Sequence, residues 1–116
     1  MIRFKRADRV GGQVQKELSD LLLKEIRDPR LGSITILHVS ITDNLRSAKI
    51  YFSVAGGEEG KLSALAGFKS ASGYLRRQLS RRLELRHMPE IEFFYDASLD
   101  RATKINKVLK EIRNGK

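Results

Sequence analysis

Arg76-Arg77 and Arg81-Arg82 are the residues of this sequence best equipped for chemistry, two guanidinium pairs set among Leu75, Leu79 and Leu83. A guanidinium stays charged at any physiological pH, and its planar fork matches the oxygens of a phosphate. The chemistry on offer is therefore the holding of an anion. At about 100° of turn per residue, the leucines form a narrow apolar stripe and Tyr74, Arg77 and Arg81 fall opposite it. Arg76 and Arg82 flank the stripe, where their stems can lie along apolar surface while the charges reach water. Surface helices ordinarily alternate signs to gain i,i+4 support, yet Glu84 is the only acid between residues 61 and 89. The face predicted to meet a polyanion thus comprises Lys69, Arg76, Arg77, Arg81 and Arg82; the competing reading is an ordinary solvated face.

The remaining candidates for chemistry are weaker. Ala55-Gly-Gly-Glu-Glu-Gly-Lys-Leu62 follows a strand and precedes a helix, as a phosphate loop should. However, Ala55 stands where a glycine is needed, Leu62 replaces the magnesium-binding hydroxyl, and Glu58-Glu59 would repel phosphate. His38 and His87 each lack a second histidine nearby and read as structural residues. Glu90, Glu92, Asp96 and Asp100 could suggest a metal-dependent nuclease, but a solvated sheet edge, or ion pairs to Arg101 and Lys104, accounts for them more simply. The chain has no cysteine, which removes thiol nucleophiles, disulfides and cysteine zinc sites. No catalytic residue, metal or cofactor is expected.

Several elements must position these groups. Residues from about Arg6 to Arg27 show helical spacing through Val10, Val14, Leu18, Leu21 and Leu22, with Arg9, Lys16 and Arg27 opposite. Arg9 and Lys16 join the candidate anion-binding set. Gly11-Gly12 should weaken the first turns, and Asp28-Pro29 should end the helix. Ile34 to Ile41 is apolar on both faces, the mark of a covered strand or a bulge. After a turn at Thr42 to Leu45, Ala48, Ile50, Phe52 and Val54 alternate with Lys49, Tyr51 and Ser53, so the two strands should form a hairpin. A glycine-rich link leads to a helix through Leu62, Leu65 and Phe68, expected to kink or divide at Ala71-Ser72-Gly73 before the arginine helix. Gly73 would open the N-terminus of that second helix to phosphate, and Tyr74 would be free to stack on a base. Ile91, Phe93 and Tyr95 give a third strand. Beyond an N-cap at Asp96 or Ser98, Ile105, Val108, Leu109 and Ile112 mark a final helix.

The chain has 116 residues and a net charge of +9, which suits one domain with a polyanionic partner. No apolar run approaches the roughly 20 residues that span a bilayer, and no membrane partner or small-molecule substrate is expected.

The element order resembles a type II K-homology (KH) domain, a single-stranded RNA-binding fold that normally carries Gly-x-x-Gly between its central helices. Here Ala71-Ser72-Gly73 occupies that position and resembles the Ala-x-Gly kink of the bacterial ribosome-binding factor A family. Glu25 to Gly32, Ala48 to Tyr51, Ser72 to Arg76 and Met88 to Asp96 are similar to that family as well, in order along nearly the whole chain. The resemblance implies an α+β, type II KH-like fold, αββααβ plus a C-terminal helix, as one domain over 1–116 with about 113–116 frayed. It also implies a non-enzymatic, cytoplasmic, monomeric factor that binds the free or immature small (30S) ribosomal subunit and its RNA. Such a factor assists late maturation and 5′ end processing of 16S rRNA, including in the cold. The residues matching the family are Ala71 to Gly73 and Arg76; Arg77, Arg81 and Arg82 come from the helical projection. The alternative is a DNA-binding protein using the kinked helix pair as a helix-turn-helix, although only Gln78 is available there to read base edges.

Overall fold

The structure is a computed structural model and describes residues 6–97. In chain order it contains helix α1 (Arg6–Lys24), a 3₁₀ turn (Pro29–Leu31), strands β1 (Ile34–Ile41) and β2 (Ser47–Val54), helix α2 (Gly57–Leu83) and strand β3 (Glu90–Tyr95). The expected final helix, the N-cap at Ser98 and the frayed end lie outside the described residues. The arrangement is α+β and KH-like. β2 is central, antiparallel to β1 and parallel to β3.

Period-two burial sets the sheet's two faces. Ala48, Ile50, Phe52 and Val54 of β2 are buried with Ile36 and Val39 of β1. They meet Val10, Val14, Leu18 and Leu21 from α1 and Ala64, Phe68, Leu75 and Leu79 from α2 in one core. Phe68 lies flat on Phe93, with ring centroids 3.9 Å apart, and meets the edge of Phe52 at 5.0 Å. The opposite face carries a row of rings across all three strands, His38, Tyr51 and Phe94, with neighbouring centroids 6.2 and 5.7 Å apart.

The doubly apolar pattern of β1 is explained by a bulge. Ile36 pairs with Phe52 and His38 with Tyr51, so Leu37 is the extra residue. This inverts the alternation and brings Val39 to the core while His38 faces out. A bulge leaves ladder groups unpaired, and Gln15 of α1 serves them, its Nε2 donating to the carbonyls of Ile36 at 3.2 Å and Leu37 at 3.3 Å. One turn earlier, Gly11 is buried against the same strand; a Cβ there would sit 2.9 Å from the Val39 carbonyl oxygen. The glycine pair therefore does not fray α1, which runs unbroken from Arg6. Gly11 is what lets the helix approach the sheet.

Asp28 stops the chain after α1 by capping the 3₁₀ turn, its Oδ1 accepting from the Arg30 N–H at 2.9 Å. Gly56 and Gly57, at φ +103° and +63°, turn the chain from β2 into α2. The expected division of that helix is absent: α2 runs continuously through Ala71, Ser72 and Gly73. Gly73 has no left-handed backbone and nothing within 4 Å of where a Cβ would stand. Its cost of about 1 kcal/mol in a helix interior is outweighed by core packing on both sides. Ser72 Oγ donates to the Lys69 carbonyl at 3.0 Å within the unbroken helix.

Candidate nucleic-acid interface

Continuity of α2 presents its basic residues from one helical rod. Leu75 and Leu79 anchor the rod in the core, which directs Arg76, Arg77 and Arg81 outward, all three exposed. They line a groove of about 350 Å³ together with Ser80 and Met88. Met88, which the spacing gave no reason to include, returns from the loop after α2 to supply apolar surface beneath the guanidinium groups. No ion pair or side-chain hydrogen bond among the described residues engages these three arginines, so their forks remain available to phosphate oxygens.

Arg82 behaves differently and leaves the candidate set. It points toward α1, where Nη1 reaches Asp20 at 2.8 Å and Glu17 at 3.1 Å, and Nη2 reaches Glu25 at 2.7 Å. Its side chain is 24% exposed. Hydrogen bonds donated to Asp20 and Glu17 hold the guanidinium even more firmly charged than usual. In turn, hydrogen bonds from Arg82 and then Lys24 hold the Asp20 carboxyl below the ordinary carboxylate range. Three carboxylates around one guanidinium make this a clamp between the helices and a poor phosphate ligand. The helical projection correctly set Arg82 beside the apolar stripe, but could not reveal which element lay across from it.

Tyr74 is tied to α1 through its hydroxyl. Its hydroxyl donates to Glu25 Oε2 at 3.0 Å, and that bond is the main reason its phenol resists ionisation. Lys69 is exposed on α2, as are Arg9 and Lys16 on α1. Lys16 lines a separate hollow with Glu17, Ser19, Asp20 and Leu23, so acids intervene there and the groove on α2 does not extend to it. Ala71 to Gly73 sit within the rod and open no helix N-terminus toward a phosphate. The N-terminus of α2 carries Glu58 and Glu59, acids that suit the positive end of the helix dipole and would repel phosphate.

One uninterrupted helix also removes the helix-turn-helix alternative, which needs two helices meeting at a turn. Among the described residues no cluster of three His, Asp or Glu side chains could hold a metal. Glu92 lies on the outer sheet face in register with Lys49, and the Asp96 N–H closes onto the Phe52 carbonyl at 2.8 Å. No helix among these residues is long and apolar enough to cross a membrane.

The chain is similar to known proteins along most of its length. It is 46% identical over 108 residues to the ribosome-binding factor A of Citrifermentans bemidjiense, covering 93% of this chain and 91% of that protein. The fold superposes on the crystal structure of ribosome-binding factor A from Thermus thermophilus with a TM-score of 0.67 and 26% identity, over 77% of this chain and 94% of that one. It also matches, at TM-score 0.65 and 25% identity over 78% and 96% of the two chains, a homology model of the Thermus thermophilus factor fitted into a cryo-EM map of a 30S complex. The family model for ribosome-binding factor A matches residues 6–109, a span that contains the whole sheet, both helices and the arginine groove, and the chain is therefore a member of the ribosome-binding factor A family.

Proposed function

We propose that this chain is a non-enzymatic assembly factor that binds the free, immature small ribosomal subunit through its RNA and assists late maturation and 5′ end processing of 16S rRNA, including in the cold. It acts in the cytoplasm as a monomeric single domain, without cofactor or small-molecule substrate. The observation that carries the reading is the unequal use of arginine on α2. Arg82 is committed to three carboxylates, whereas Arg76, Arg77 and Arg81 line an open groove. The fitting of a family relative into a map of its 30S complex supports a ribosomal destination for that groove. Lys69, Arg9 and Lys16 add long-range attraction.

Sucrose-gradient fractionation of cell extract tests the proposal. At low salt the protein should migrate with free small subunits, and rising salt should release it, as expected for binding to phosphates. Absence from small-subunit fractions at every salt concentration would overturn the reading.

A further inference from the structure

A second, larger hollow adjoins the arginine groove, sharing Arg76 and Met88 with it. Its volume is about 880 Å³, and it lies between the start of α1, the β1–β2 turn, the last turns of α2 and the loop leading to β3. Arg6, Arg46, Arg76 and Arg86 line it with His87, and Glu90 is the single acid among its lining residues. Four arginines from four separate segments of the chain thus line one hollow. No ion pair or side-chain hydrogen bond among the described residues engages any of them, in contrast to Arg30 and Arg82. Like charges gathered in a concavity raise one another's energy, and an anion between them removes that cost.

The backbone supports the same assignment. Among the described residues, the two non-glycine positions with positive φ are Leu45, at 59°, and Glu84, at 52°; Leu45 lines this hollow, and Glu84 immediately precedes Leu85 and Arg86, which also line it. Such conformations are strained for non-glycine residues and concentrate where a site needs its groups held. Leu45 belongs to a tightly bonded turn. Thr42 Oγ1 donates to Asn44 Oδ1 at 2.6 Å, and the same oxygen accepts the Arg46 N–H at 3.0 Å. The Arg46 carbonyl in turn accepts the Glu90 N–H at 2.8 Å, fixing the turn to the start of β3. Glu84 ends α2 in the left-handed conformation and redirects the chain, so that Leu85 and Arg86 line the hollow instead of continuing the helix.

We infer that this cleft is a phosphate-binding site for single-stranded RNA, continuous with the α2 groove through Arg76. The inference rests on the RNA-binding reading above and assigns it a second point of attachment. The occupant is either an internal phosphodiester or the terminal phosphate of an RNA strand, which present the same oxyanion chemistry.

Fluorescence anisotropy with a short, mixed-sequence single-stranded RNA tests this, using the full chain and the same RNA bearing a 5′ phosphate or a 5′ hydroxyl. Arg46→Ala with Arg86→Ala should weaken binding at least tenfold and reduce the slope of log affinity against log salt by about 0.7 for each phosphate no longer neutralised. If the terminal phosphate is the occupant, the 5′-phosphorylated RNA binds more tightly and the double variant abolishes that preference; equal binding of the two RNAs identifies an internal phosphodiester. Arg46→Lys with Arg86→Lys keeps the charge and guards against a folding defect. It should preserve the salt slope while losing affinity, because an ammonium lacks the fork. If Arg77→Ala with Arg81→Ala weakens RNA binding and both cleft pairs leave it unchanged, the cleft assignment is wrong and the RNA reading stands. Absence of RNA binding by the unaltered protein overturns both.

Discussion

Arg82 on α2 and Asp20 on α1 meet at 2.8 Å although 62 positions separate them in the chain. Glu17 and Glu25 close on the same guanidinium, and the Tyr74 hydroxyl binds the second oxygen of Glu25. The long basic helix is thereby fixed to α1 along the side that faces it, while Arg76, Arg77 and Arg81 on its other flank stay exposed. One helix combines an internal polar seam and an external one.

Replacing Arg82 should affect folding before binding. Arg82→Ala leaves three carboxylates facing one another and should lower the melting temperature at pH 7. The pH dependence gives the diagnostic. Because Arg82 depresses the Asp20 pKa, Asp20 contributes stability that is present above the ordinary carboxylate value near ~4 and is lost as pH falls through its lower folded value. Acidification below about pH 4 should therefore destabilise the unaltered protein more than Arg82→Ala, and the two melting curves should converge. Parallel curves would exclude the clamp.

Arg77→Ala with Arg81→Ala should do the reverse. RNA affinity should fall and the salt slope should shrink by about 0.7 for each single-strand phosphate the protein no longer neutralises, with a melting temperature close to that of the unaltered chain. Unchanged binding would mean that this groove does not hold RNA.

Phe68→Ala should cost about 3–5 kcal/mol, the usual range for deleting a buried aromatic ring. The ring stacks on Phe93 and abuts Phe52, so its loss empties the junction of α2 with β2 and β3. Urea denaturation measures it; a loss under about 1 kcal/mol would show that the core collapses to fill the space.

Three glycines should respond differently to alanine. Gly11→Ala drives a methyl into the Val39 carbonyl and should destabilise by about 1–3 kcal/mol. Gly12 and Gly73 have nothing within 4 Å, and alanine at either should stabilise by up to about 1 kcal/mol. Equal effects at all three sites, measured by thermal unfolding, would contradict the close approach of α1 to β1.

Local patterns were legible in the residues where one face is buried and the other is wet. The alternation of β2 predicted Ala48, Ile50, Phe52 and Val54 inside, and the doubled apolar pattern of β1 left a covered strand or a bulge open, of which the register shows the bulge. The unbroken course of α2 was not legible, because a glycine's helix penalty is small beside core packing through Phe68 and Leu75 that no local window contains. Arg82 was misread for a related reason. Its spacing matches that of a free surface arginine, and the carboxylates that claim it come from the other end of the described chain. The grouping of Arg46 and Arg86 with Arg6 and Arg76 was not legible, because these residues stand apart in the chain and line one hollow only once it folds.

The parallel pairing of β2 with β3 has a consequence for the order of events during folding. α1 and the β1–β2 hairpin can assemble from nearby residues, but β3 reaches its place only after the whole of α2 has been traversed. Closing that span is entropically expensive, and non-local pairings of this kind form late. Until then the free edge of β2 stays open to wrong partners. The arginine helix is therefore also the segment that carries β3 to the edge of β2, and Glu17, Asp20 and Glu25 are the charges that hold it to α1 through Arg82.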